Sequence, residues 1–310
     1  MKKNTPPQQA EVLSGHSSEG MRQLHIPVLL EDTLSLLAPK AGERYLDLTA
    51  GYGGHASKII EVVGATHATL VDRDAKAITA LEPLGTSGVR LIHGDFLSVA
   101  QGLAEKNEQF NMILVDLGVS SPQLDNAERG FSIKRDGPLD MRMDETQERT
   151  AADIVNHASK SELIRIIETY GEERPRQAQR IVTAIIEARP VRTTHELAAL
   201  VTTAYRGPRT KVHPATRTFQ AFRIALNDEI NQVGELLPLL PRLLKKDGRV
   251  VVISFHSLED RLVKQYFAES AASGYEAQLS LLTKKPILGT LNDVHNPRAR
   301  SAILRAAVKK

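Results

Sequence analysis

The chain has 310 residues, 41% of them apolar and 25% charged, with a net charge of +3 at neutral pH. That is an ordinary globular composition, and no apolar run reaches the ~20 residues that a membrane-spanning helix needs. Cysteine is absent, which excludes disulfides, thiolate metal sites and cysteine nucleophiles and fits a reducing, cytoplasmic setting.

Residues 1–24 are rich in Pro, Gln, Ser and Gly and contain no apolar stretch, so they read as a disordered tail and not as a signal peptide. Beyond them, strands are expected at 44–48, 68–72, 89–93 and 111–116, with helices at 57–63 and 75–84 between. Short apolar strands alternating with helices predict a parallel sheet covered on both faces. The next strand signal, 249–255, follows the turn pair Asp247-Gly248. The gap before it far exceeds the about 30 residues of a βαβ unit. Within the gap, 150–205 has only helical periodicity. Leu163, Ile166, Ile167 and Tyr170 share one face, Gly171 suits a helix end, and Thr193 with Glu196 forms a capping-box pattern. A helix is then expected from 218 to about 240, and late strands near 278–282 and 302–308. The fold class is therefore α/β, a doubly wound, mostly parallel sheet with an inserted all-helical unit. The expected domains are 25–140 joined to 214–310, and an insert at 141–213.

The stretch "YLDLTAGYGGHAS" (45–57) runs from a strand through a glycine-rich turn into a helix. Gly51, Gly53 and Ala56 fit G-x-G-x-x-G/A, and Asp72 ends the next strand, as in a dinucleotide fingerprint. A nicotinamide cofactor is thus one reading of the loop. Yet Asp47, Asp72, Asp95 and Asp116 all fall at or just beyond the carboxyl ends of consecutive strands, where open sheets bind ligands. A pyrophosphate is repelled by such acids, whereas a sulfonium with an α-ammonium tolerates them, so S-adenosylmethionine is the expected cofactor. Asp72 suits its ribose, while Asp95 with Phe96 suits its adenine.

Without a cysteine, carbon-5 methylation of a pyrimidine is closed, which leaves an amine or hydroxyl acceptor. "DLGVSSPQLD" (116–125) stands where amino-methyltransferases carry an acid or amide followed by two prolines and an aromatic. Asp116, Ser120 and Ser121 are the candidate catalytic groups there. "SFHS" (254–257) is the candidate opposite wall, with His256 as a possible proton acceptor. No His-x-x-x-His spacing occurs, and no metal is expected.

Residues 197–227 hold Arg206, Arg209, Lys211, Arg217 and Arg223 without an acid, and 294–310 hold Arg298, Arg300, Arg305, Lys309 and Lys310, again without one. Two acid-free basic runs in a nearly balanced chain point to phosphate contacts, and the scarcity of aromatics favours a folded RNA over indiscriminate single strands. The expected RNA contacts are Arg135, Arg209, Lys211, Arg217, Arg298 and Arg300.

The blocks "HIPVLLEDTL", "GYGGHAS", "VDRD", "LVDLGVSSPQLDNAERGFSIKRDGPLDMRMD", "YGEER", "HPATRTFQAFRIALNDE", "SFHSLEDR" and "NPRARSAILR" resemble the bacterial ribosomal RNA small subunit methyltransferase H family. The resemblance covers nearly everything from His25 onward. It implies a Rossmann-like methyltransferase domain with a helical insertion, and N4-methylation of a cytosine in the decoding region of 16S ribosomal RNA, in the small ribosomal subunit. It also implies cofactor contacts at Gly53, Gly54, His55, Asp72, Phe96, Asp116 and Gln123, with Asp47 and Asp95 added from the strand-end pattern. Two other readings stay open: an RNA-binding assembly factor without catalysis, and an NAD-dependent oxidoreductase. A homo-oligomer is compatible with the sequence, and no membrane partner is expected.

Overall fold

The computed structural model describes residues 27–207, 212–272 and 274–310. The expected tail at 1–24 lies outside them.

The elements in chain order are α1 (Leu30–Leu37), β1 (Tyr45–Asp47), α2 (Gly54–Val63), β2 (Ala68–Asp72), α3 (Ala75–Thr86), β3 (Arg90–His93), α4 (Phe96–Glu105), β4 (Phe110–Asp116) and the short α5 (Ser121–Asp125). Helices α6 (Ala151–His157), α7 (Lys160–Gly171), α8 (Pro175–Glu187), α9 (Thr194–Ala204), α10 (Thr216–Asn227), α11 (Glu229–Leu236) and α12 (Leu240–Leu243) follow. The chain closes with β5 (Leu244–Ser254), α13 (Ser257–Ala272), β6 (Leu279–Leu281), β7 (Ile287–Leu288), α14 (Gly289–Asn292) and β8 (Ile303–Lys309).

The strands form one sheet in the order β3-β2-β1-β4-β5-β8-β6, with β7 also on β8. β1 to β5 pair in parallel, and β8 runs antiparallel to β5, β6 and β7. This is the doubly wound, mostly parallel α/β sheet. Side-chain alternation explains why 112–115 in β4 and 250–253 in β5 are apolar throughout: Ile113, Val115, Val250 and Val252 enter one core, and Met112, Leu114, Val251 and Ile253 the opposite one. Among the described residues no helix is long and apolar enough to cross a membrane.

Helices α7 to α10 build a separate core from Leu163, Ile167, Ile181, Ile185, Leu197, Val201 and Phe222. Their starts are well closed. Thr150 and Thr193 make capping boxes with Asp153 and Glu196, and Ser159 caps α7.

Two local expectations change, and a third, the helix end at Gly171, is met by a different local geometry. The single helix expected from 218 to 240 is two, because Asp228 adopts a left-handed backbone (φ 53°). Asn227, 1% exposed, turns its amide inward to accept from Met143 N and donate to Met141 O and Arg223 O, a local competition that favours ending the helix. Gly171 is the last residue of α7, and Glu172 takes the left-handed turn (φ 48°). The glycine serves close packing instead, since a Cβ there would stand 3.0 Å from Arg217 O on α10. Pairing of β5 starts before the turn pair, at Leu244 opposite Phe110, with an irregularity in β4 between Phe110 and Met112.

Candidate active site

The parallel sheet brings the ends of β1, β2 and β4 side by side, so Asp47, Asp72 and Asp116 converge at one edge. Asp95 does not join them as a free group: its carboxylate caps α4 by accepting from Ser98 N at 2.8 Å. Beside these tips lies a cleft lined by Thr49, Gly51, Asp72, Arg73, Asp74, Phe96, Gly118, Ser120, Gln123, Met143, Glu229, Gln232 and Glu259, among others.

Each acid is held differently. Asp72 accepts from Gly51 N at 2.7 Å and from Asp74 N at 2.8 Å, which locks the glycine turn onto the second strand. Burial pushes its carboxyl up despite those amides. Asp47, 1% exposed, accepts from Tyr45 Oη at 2.7 Å and Thr49 N at 3.1 Å. Burial pushes it up to about 7, against the pull of those donors. Asp116 N donates to Thr49 Oγ1 at 2.6 Å. Its Oδ1 is buried with no partner, and burial, then Asp47, then Glu259 push this carboxyl well above its ordinary value.

The glycines act by shape. Gly53 has φ 80°, and a Cβ there would meet Leu81 Cδ2 at 2.8 Å; only a residue without one lets the turn close over α3. His55, buried behind the turn, places Nε2 3.0 Å from Val28 O and Nδ1 3.6 Å from Asp116 Oδ2. Burial lowers its pKa to about 4. Gly54 lies against Pro27, whose Cγ would stand 2.8 Å from an added Cβ. Gly53, Gly54, His55, Asp47 and Asp116 thus sit behind or beside the cleft lining, while Asp72, Phe96, Ser120 and Gln123 belong to it.

Gln123 bridges two parts of the wall. Its Oε1 accepts from Ser120 N at 2.9 Å, and its Nε2 donates to Asp74 Oδ2 at 2.9 Å. Asp74 also receives the Arg129 guanidinium at 2.6 Å, an ion pair with both side chains almost fully buried. Asp74 and Arg73 were not singled out in the sequence, although "VDRD" contains both. Met143 and Glu229 lie inside quoted blocks without being singled out there, and Gln232 lies beyond them. Ser121 begins α5, half-buried. Phe255, at the end of β5, lies against Gly118, where a Cβ would be 3.3 Å from the ring.

His256 faces Glu259. Its Nδ1 accepts from Glu259 N at 3.4 Å, and its Nε2 lies 3.2 Å from Glu259 Oε1. Burial opposes the Glu259 charge, but the imidazole, Arg223 and the Phe255 amide hold that carboxyl below its usual range. Glu229, His256 and Glu259 have ligand atoms within 4.8 Å of one another, the one such group among the described residues. His-x-x-x-His spacing could not reveal it, because its members come from α11, from the bend after β5 and from α13. Arg223 meets both Glu229 oxygens, at 2.8 and 2.7 Å, and supplies a permanent positive charge there.

Of the expected RNA contacts, Arg135 and Arg298 converge on Asp125: Arg135 donates to its carbonyl and Arg298 lies 2.5 Å from its carboxylate. Arg217 is exposed, 4.0 Å from Glu173, and Arg300 is exposed. Arg209 and Lys211 lie outside the described residues.

Residues 22–310 match the model of the MraW methylase family. The chain is 44% identical over 296 residues to the ribosomal RNA small subunit methyltransferase H of Synechocystis sp., covering 92% of this chain and 93% of that protein. It is 42% identical over 301 residues to the protein of the same name from Koribacter versatilis, with 92% and 94% covered. Among solved structures, an rRNA methylase from Streptococcus thermophilus aligns with a TM-score of 0.42 at 10% identity, over 90% of this chain and 94% of that one.

Proposed function

The chain belongs to the MraW methylase family, and from that premise we propose that it moves the methyl group of S-adenosylmethionine to the N4 amine of a cytosine in the decoding region of 16S ribosomal RNA. The observation that carries the reading is the convergence of three strand-end acids on a cleft whose polar atoms the fold leaves unsatisfied. Arg73 Nε and Gln232 Oε1 line the cleft or its rim, and both are buried without partners, as is Asp116 Oδ1. Buried polar atoms without partners are costly and rare, so a polar ligand fits here. A cationic one suits Asp47 and Asp116.

In this reading Asp72 accepts from the ribose hydroxyls, the Phe96 ring packs on the adenine, and the backbone of Gly53, Gly54 and His55 approaches the amino-acid end. Gln123 holds Ser120 and Asp74 in place. When bound, the cofactor supplies a methyl group on a positively charged sulfur. Asp116, Ser120 and Ser121 orient the cytosine amine, and Asp116 takes its proton. Phe255, beside Gly118, forms the apolar wall for the base, the part that a second proline and an aromatic play in other amino-methyltransferases. Arg135, Arg217, Arg298 and Arg300, with Arg209 and Lys211, contact RNA phosphates. The division into 25–140 with 214–310 and a helical insert at 141–213 is part of the same reading, with α10 joined to the helical side by its packing. A ribosomal substrate places the protein in the cytoplasm.

The test is incubation with radiolabelled S-adenosylmethionine and small ribosomal subunits from cells lacking the protein. Label in a single cytosine of the small-subunit RNA is expected. Absence of label in RNA, with S-adenosylhomocysteine still bound, would overturn the reading.

A further inference from the structure

The Nε2 of His55 lies 3.0 Å from Val28 O. A carbonyl only accepts, so Nε2 carries the hydrogen. The ring is 7% exposed in its side chain and stays neutral, which leaves Nδ1 as a bare lone pair. That lone pair faces Asp116 Oδ2 at 3.6 Å. Two acceptors facing each other hold apart until a proton lies between them, and an O–H···N bond would close the gap toward about 2.8 Å. The other Asp116 oxygen, Oδ1, has no partner.

We infer that His55 is a positioning residue for proton transfer, acting through Asp116: its Nδ1 receives the hydrogen bond of the Asp116 carboxyl once that group has taken a proton. This deepens the proposed function and rests on it. The N–C bond forms as the S–C bond breaks, and the latter's electron pair remains on sulfur. The N–H bond of the amine then breaks, its pair returns to nitrogen, and the proton goes to Asp116. The resulting Oδ2–H donates to His55 Nδ1, so the product proton has a prepared partner inside a site that water does not need to enter. Asp47 from β1 and Glu259 from α13 also face Asp116, and both disfavour its charged form. His55 differs from them in offering direction: a lone pair aimed at one oxygen.

Two isosteres separate this role from simple anchoring. His55→Gln can keep the donor to the Val28 carbonyl but lacks the acceptor opposite Asp116; His55→Asn can keep that acceptor but lacks the donor. The readouts are the Asp116 carboxyl band in infrared difference spectra across pH, identified by its loss in Asp116→Asn, and single-turnover transfer at saturating cofactor. For His55→Gln, the Asp116 titration is expected to move about one pH unit lower, a tenfold loss of proton affinity, with transfer falling about tenfold. For His55→Asn, the titration stays in place and the melting temperature falls. A His55→Gln protein with wild-type titration and rate overturns the inference. Should either variant fail to fold, the wild-type His55 Nδ1 nitrogen resonance decides: it is expected to shift as Asp116 titrates, and a resonance that does not move overturns the inference. A wild type that labels no RNA counts against the proposed function alone, because the titration needs no substrate.

Discussion

Thr150, Ser159 and Thr193 close three helix starts in the 150–204 region with side-chain hydrogen bonds, whereas α2, at the sheet's carboxyl edge, opens on Gly53 with no side-chain cap at all. The same contrast extends to the buried polar atoms. Around the cleft, Arg73, Asp116 and Gln232 each retain an atom without a partner, while among the described residues of the helical region the Thr218 hydroxyl alone does so. One region spends its polar groups on its own stability. The other leaves several of them unsatisfied, and its acids stay buried near one another at a cost in stability. Polar groups that the fold could satisfy and does not are the better guide to function.

The largest expected effect that sharpens this comparison is at Asp116. Asp116→Asn should reduce single-turnover methyl transfer by about 10²- to 10⁴-fold, the range for a lost proton acceptor. The melting temperature at pH 8 should not fall, because the amide removes the desolvation cost of a buried carboxylate. In the helical core the reverse holds. Phe222→Ala, at a fully buried position, should cost about 3–5 kcal/mol in chemical denaturation, with the affinity of the folded protein for S-adenosylhomocysteine unchanged. A variant that behaved oppositely in either place would break the distinction.

Asp47 adds a pH signature. Its folded pKa is raised from 3.8 to about 7, so the stability it permits is fully present below pH 4 and is lost as pH rises through 7. The loss is on the order of 4 kcal/mol. Thermal unfolding of the ligand-free protein across this window should therefore decline more for the wild type than for Asp47→Asn, and parallel curves would refute it. The smallest effect is expected at a cap: Thr193→Ala should cost about 1 kcal/mol by denaturant titration and leave methyl transfer intact.

Legibility follows the range of the interactions. Asp72 could be read because strand end, glycine turn and spacing all lie within one βαβ unit. Asp95 was read as a ligand group from the same strand-end rule, and the structure gives it the local task of capping α4. Asp74 stood in plain view in "VDRD", yet its importance comes from Arg129, 55 residues away. Glu229 and Gln232 line the cleft from a second helix that begins after Asp228 takes a left-handed backbone, a break that the inward-turned Asn227 favours and no proline or glycine marks.

By itself, then, the sequence determined the alternation of strands and helices, the parallel sheet, the helical insertion and the acids at the strand tips, because period, turn chemistry and strand-end position are local properties. Tertiary structure alone decided which of those acids share one field, which way the His55 ring points its lone pair, and which polar atoms go without partners. Those outcomes depend on distances between residues far apart in the chain, set by how the two faces of the sheet and the helical core pack.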